Sequence, residues 1–204
     1  MNFASDNVYG VDPRIMQAMV DANSRLTDVS YCHDDDSKRV DERLSEIFEK
    51  DVKSFLVVNG TGANSLALSA ICPPFGGIFC HEGSHINTDE CNAPELITGG
   101  AKLITLLGEG NKLQPNAVKN KIGQFLHGEH GAKPSALSIT QATELGTVYS
   151  LAEIKALSDL AHHYGMYVHM DGARFANALV TLGCTPAEMT WKAGVDVLSF
   201  GGTK

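Results

Sequence analysis

The sequence has no Cys-x-x-Cys pair, no basic run and no long apolar stretch. Its five cysteines, Cys32, Cys72, Cys80, Cys91 and Cys184, are odd in number and scattered, so neither a disulfide framework nor a structural zinc site is suggested. Basic residues are the minority, 16 Lys and Arg against 24 Asp and Glu, giving a formal charge of −8. A binder of phosphate backbones would show a basic patch, so nucleic acid is not an expected partner. The longest apolar clusters, such as Leu103-Ile104 with Leu106-Leu107, fall far short of the ~20 residues that cross a bilayer, so no membrane is expected. The segment Met1 to Asn7 lacks the basic and apolar regions of a signal peptide. These absences together predict a cytoplasmic protein with free thiols.

What is present is an ordinary globular composition, 43% hydrophobic and 20% charged over 204 residues, enough for one domain with a real core. No repeat or low-complexity tract occurs. Helical and strand patterns alternate. Asp12-Pro13 is a helix start, a capping carboxylate before a proline at the first helical position, and a second helical pattern follows Asp34-Asp35-Asp36. Ser54 to Val58 reads as a buried strand, continuous rather than alternating, as in parallel sheets covered on both faces. After Asn59-Gly60-Thr61-Gly62 comes a helix over Ala63 to Ile71. Further strands are expected at Gly77 to Cys80, Leu103 to Leu106, Ser135 to Thr140, Met166 to Met170 and Val195 to Phe200. Helices are expected at Pro115 to Leu126, Leu151 to Tyr164, Ala173 to Leu182 and Pro186 to Lys192. The pattern predicts a three-layer α/β fold, a mostly parallel sheet with helices on both faces. In such sheets ligands bind beyond the carboxyl ends of the strands.

Four strand ends carry unusual residues, each with a plain alternative. Gly60-Thr61-Gly62 could cradle a phosphate at a helix N-terminus or be a tight turn; Ser65 stands where a dinucleotide fingerprint needs its third glycine. His81 and His85 are four apart, yet no predicted helix holds them on one face, so a metal site is not indicated, and ordinary loop placement is as good a reading for either. Asp171, ending an apolar strand, would lie partly buried and need a cationic partner, or it could cap the helix that follows. Lys204 alone is a surface lysine.

Their joint order changes the weighting. A phosphate turn, a histidine, an aspartate 33 residues before a lysine and an arginine beside the aspartate are the parts of a pyridoxal phosphate enzyme. A carboxylate about 4 Å from a cationic ring nitrogen, at an effective dielectric of about 20, is worth on the order of 4 kcal/mol.

The sequence resembles the low-specificity L-threonine aldolases, pyridoxal phosphate enzymes of fold type I in the β-eliminating lyase superfamily. The resemblance rests on Ser5-Asp6-Asn7, Gly60-Thr61-Gly62-Ala63-Asn64, His85 with Glu90, His169 to Arg174 and Ser199 to Lys204. It implies an aspartate-aminotransferase-like large domain over 1–204, with an N-terminal helical segment to about residue 50. It further implies that Lys204 holds the cofactor covalently, that Asp171 binds the pyridinium nitrogen and that His85 stacks on the ring. Gly60, Thr61, Gly62 and Thr203 would hold the phosphate, Ser5 and Arg174 the substrate carboxylate, with Arg174 also beside the cofactor. Tyr31 would contact substrate, and Glu90 would lie near its hydroxyl. The implied reaction is cleavage of L-threonine or L-allo-threonine to glycine and acetaldehyde, with His85 as base.

Two segments depart from the family pattern. Tyr31 to Asp36 lacks an expected glycine, and Gln141-Ala142-Thr143-Glu144-Leu145-Gly146 replaces an Asn-Thr-His-Asn type run; both could reflect a preference for another β-substituent, such as that of phenylserine. Members of the family continue past the lysine into a small C-terminal domain carrying a second arginine. The chain is therefore expected to be a fragment or to stop where a modified lysine interrupts the standard residues. The implied partners are an amino acid substrate and further copies of the chain, a homodimer or homotetramer with shared sites. The rival readings are another pyridoxal phosphate β-eliminating lyase or racemase, a Rossmann-type nucleotide binder, and a non-enzymatic assembly partner.

Overall fold

The computed structural model describes residues 5–8, 10–25 and 29–202. They divide into two compact units, the described residues up to Phe55 and Leu56–Gly202.

The first unit is helical. Helix α1 (Pro13–Ser24) begins as its sequence directs, Asp12 accepting the Arg14 N–H at 2.8 Å with Pro13 in the first turn, a cap worth about 1 kcal/mol. Its apolar residues Ile15, Met16, Met19 and Val20 are all exposed. Helix α2 (Asp35–Phe48) is capped by Asp34, which accepts from the Ser37 hydroxyl and N–H; those donors hold its carboxyl below the usual range. The segment after α2 is tied back to Asp41, which pairs with Lys53 and accepts from the Ser54 hydroxyl and N–H. Lys53 first and Ser54 second pull the Asp41 carboxyl down to about 2.

The second unit is an α/β sheet. Its elements run α3 (Gly60–Ile71), β1 (Gly76–His81), α4 (His85–Thr88), α5 (Ala93–Ile97), β2 (Lys102–Leu106), α6 (Pro115–Gly123) and β3 (Lys133–Thr140). Then come α7 (Leu151–His163), β4 (Tyr167–Gly172), α8 (Phe175–Leu182), α9 (Pro186–Met189) and β5 (Val197–Phe200). All pairings are parallel, in the order β2-β1-β3-β4-β5. The chain leaves β1 to one side and returns to its other side with β3, so a switch point lies between them, where ligands bind in open α/β sheets.

Residues alternate between the two faces of each strand. Ile78 and Cys80 of β1 pack with Leu68 of α3, Cys72 just beyond that helix, Ile86 and Ala101. Phe79 turns the other way and meets Phe125 edge-on at 5.8 Å between ring centroids. Helix α3 lies against β3, β4 and β5, while α6 and α7 pack on each other and on β2, β3 and β4. Helix α7 starts with a reciprocal capping box, Ser150 and Glu153, and α9 with another, Thr185 and Glu188.

Several boundaries differ from the sequence expectations. The strand at Ser54 to Val58 does not form: residues 51–57 are irregular, and Phe55, Leu56, Val57 and Val58 are exposed. An apolar run becomes a strand only where a neighbouring strand takes up its backbone hydrogen bonds, and among the described residues no strand pairs with this one. The Gly60 turn is the first turn of α3, with Asn59 as its cap accepting the Gly62 N–H at 2.8 Å. The helix expected over Pro186 to Lys192 breaks at Thr190 into α9 and a 3-10 turn, Trp191–Ala193. The short helices α4 and α5 were not anticipated.

Candidate active site

Asp171 is the fifth of the six residues of β4 and is buried. It is not a helix cap; that position at α8 belongs to the half-buried Arg174. Its Oδ1 accepts the Ala173 N–H at 3.0 Å and its Oδ2 accepts from Asn64 Nδ2 at 3.0 Å. The segments around Gly172 and Gly201 approach each other closely here. A Cβ on Gly201 would sit 2.6 Å from the Ala173 carbonyl oxygen, and one on Gly172 would sit 2.9 Å from that of Ser199. Only glycine allows so close a backbone approach.

The turn after β1 separates its two histidines. His81 is buried; its Nδ1 accepts the Gly83 N–H at 3.0 Å and its Nε2 donates to the Gly108 carbonyl at 3.0 Å. Both nitrogens are spent on loop structure. His85 opens α4, and its side chain is 42% exposed. Its Nδ1 lies 2.8 Å from Glu90 Oε1, while the Glu90 side chain is wholly buried. Asn64 Nδ2 donates to the same Glu90 oxygen at 2.8 Å. The His85 ring, Glu90, Asn64 and Asp171 therefore form one hydrogen-bonded chain at the carboxyl edge of the sheet.

A second carboxylate holds His85 through its backbone. Glu144 Oε1, in the loop after β3, accepts the His85 N–H at 2.8 Å and the Thr140 hydroxyl at 3.0 Å. The departing segment Gln141 to Gly146 thus places Glu144 across the switch point. Gln141 itself is turned inward, its side-chain amide bonded to the backbone of the buried Tyr149 in both directions at 2.9 Å.

Beneath the site, His169 of β4 is fully buried between Ser138 of β3 and Ser199 of β5, each hydroxyl 2.9 Å from a ring nitrogen. Burial pushes its imidazole down to about 4, against the opposing pull of the Asp171 charge. His169 is therefore neutral at physiological pH.

Of the residues singled out from sequence, the structure brings Asp171, His85 and Glu90 together and puts Gly60, Thr61 and Gly62 on the helix that carries Asn64. Ser5 and Tyr31 are exposed in the first unit. Thr203 and Lys204 lie outside the described residues. Asn64 and Glu144 were missed as site residues. Asn64 stands in the Gly-Thr-Gly-Ala-Asn motif, but only its burial beside two carboxylates reveals what it does. Among the described residues no group of three His, Cys, Asp or Glu side chains is arranged to hold a metal ion.

The chain is 46% identical to a low specificity L-threonine aldolase of Pseudomonas sp. over 202 residues, covering 99% of the chain and 58% of that relative. It superposes on a threonine aldolase structure from Leishmania major with a TM-score of 0.86 at 26% identity, covering 92% of this chain and 54% of that one. A Thermus thermophilus aspartate aminotransferase mutant shares the fold, with a TM-score of 0.62 at 18% identity over 80% of this chain and 45% of that one. The chain thus spans less than two thirds of the length of the relatives it matches. The beta-eliminating lyase family model matches residues 2–204, and the chain belongs to that family.

Proposed function

We propose that the protein carrying this chain is a pyridoxal phosphate-dependent aldehyde-lyase. It would cleave L-threonine, L-allo-threonine or a related β-hydroxy-α-amino acid such as phenylserine to glycine and an aldehyde. The observation that carries this reading is the pair of buried carboxylates, Asp171 and Glu90, joined through Asn64 and ending on the His85 ring.

The residues fit pyridoxal phosphate. Asp171 is buried, and among the described residues its hydrogen bonds come from an amide and a backbone N–H; a cationic ring nitrogen would complete it. The N–H groups of Gly60 and Thr61, heading the 12-residue α3, have no acceptor among the described residues. With the helix dipole behind them they suit a phosphate. When bound, the cofactor supplies an electron sink for the pair left on Cα as Cα–Cβ breaks.

The chain's own groups do the rest. Asp171 would hold the ring nitrogen cationic, a charge pair worth on the order of 4 kcal/mol. His85 would stack on the ring, and its Nε2 would take the proton from the substrate β-hydroxyl while Glu90 holds Nδ1. Ser5 and Arg174 bind the substrate carboxylate, Tyr31 contacts the substrate, Thr203 assists at the phosphate and Lys204 holds the cofactor covalently. Residues 1–204 form the cofactor-binding large domain in this reading, with a helical segment to about residue 50. The setting is a cytoplasmic homodimer or homotetramer with sites completed between copies.

Incubation of the full-length protein with L-threonine and pyridoxal phosphate tests the reaction. Glycine and acetaldehyde are expected in equal amounts. 2-Oxobutyrate with ammonia, or D-allo-threonine, would instead mark a β-eliminating lyase or a racemase. His85→Asn should retain cofactor and lose about 10²-fold or more in kcat; full activity with an unchanged pH profile would remove His85 as the base.

A further inference from the structure

Building on the pyridoxal phosphate reading, we infer that Asn64 is a positioning residue that sets the base and the cofactor's acidic partner together. Its amide nitrogen has two protons. One goes to Glu90 Oε1 at 2.8 Å and the other to Asp171 Oδ2 at 3.0 Å. Asn64 is 2% exposed and both carboxylates are buried, so little water competes for these bonds.

The Glu90 oxygen that accepts from Asn64 is the one facing His85 Nδ1. A carboxylate oxygen only accepts, so Nδ1 carries the ring proton and Nε2 keeps its lone pair, as a base at Nε2 requires. The Asn64 amide fixes the Glu90 rotamer, and through it the tautomer and tilt of His85. With its second proton it fixes the Asp171 carboxylate. A neutral donor suits this place. Lysine would offset the charge that Asp171 keeps for the ring nitrogen, and aspartate would add a third carboxylate with no proton to give. Asn64 also rides on α3, whose first turn presents the Gly60 and Thr61 N–H groups. One rigid element thus carries the phosphate donors and the link between the two carboxylates.

The test uses the full-length protein with Asn64→Asp, which keeps the volume, and Asn64→Ala, which keeps a strong helix former. Glu90→Gln serves as the one-sided comparison. Three quantities are read: the cofactor Kd by equilibrium dialysis of the apoprotein, kcat with KM, and the His85 ring tautomer by 15N chemical shifts. Each Asn64 variant should raise the cofactor Kd and lower kcat, both by about tenfold or more, with KM within about threefold. Glu90→Gln should lower kcat and leave the cofactor Kd within about threefold. The parent should show a protonated Nδ1 and a bare Nε2, which can be read without any variant. An active parent whose Asn64 variants keep either quantity, or whose His85 carries its proton on Nε2, overturns the inference. A parent that binds no cofactor overturns the functional reading beneath it.

Discussion

Two buried polar layers lie on one face of β4, a single pleat apart, and they are finished differently. In the lower one, both nitrogens of His169 are matched by serines from the neighbouring strands. It is neutral, closed and ties three strands together. In the upper one, Asp171 and Glu90 share the Asn64 amide as donor, and among the described residues Asn64 Oδ1 and Glu90 Oε2 are buried with no hydrogen-bond partner. Buried polar groups are ordinarily paired, and leaving one unpaired is expensive. A protein that satisfies one layer and leaves the next with spare acceptors has separated scaffold from site.

Substitutions in the two layers should therefore fail in different ways. The largest effect is expected from Asp171→Asn. Losing a charge pair of about 4 kcal/mol should weaken cofactor binding by on the order of 10³-fold, read by dialysis, with the fold intact by circular dichroism. A cofactor affinity within about threefold of the parent would place the ring nitrogen elsewhere.

His169→Leu should act on stability instead, costing about 1–3 kcal/mol in denaturant unfolding because two serine hydroxyls lose their partners. It should also remove a pH dependence. The folded imidazole titrates near 4 and an unfolded one near 6.5, so between these values the unfolded chain binds the extra proton. Stability should fall as pH drops from about 6.5 to about 4 in the parent, and this slope should flatten in the variant.

Glu144→Ala comes next. It strips the acceptor from the His85 N–H and the Thr140 hydroxyl and should lower kcat by about tenfold with cofactor affinity nearly unchanged; an equal loss of affinity would make Glu144 part of the cofactor layer. The smallest effect concerns thiols. Cys32 and Cys91 are exposed and should react promptly with a disulfide reagent. Cys72 and Cys80 should not, since burial pushes both up to about 11.

The same two layers show what was legible in the sequence. The alternation of strands and helices was, because helix starts such as Asp12 with Pro13 depend on local chemistry. His85 and Asp171 could be found because they lie just beyond or at the end of apolar strands. Glu90 was visible only through family likeness. The roles of Asn64 and Glu144 were not visible, because their partners lie 26, 107 and 59 residues away and no local pattern encodes such pairings. The failed strand at Ser54 to Val58 has a related cause: an apolar run records an affinity for burial, while strand formation needs a partner that the run does not specify.

Borohydride reduction of the full-length protein, followed by peptide mapping, tests the cofactor site most directly. The yellow colour should be discharged and a pyridoxyl group should appear on Lys204 in the parent and in His169→Leu, and at much lower occupancy in Asp171→Asn. A label on a different lysine, or a protein that binds no pyridoxal phosphate, would contradict the assignment of this sheet edge as the cofactor site.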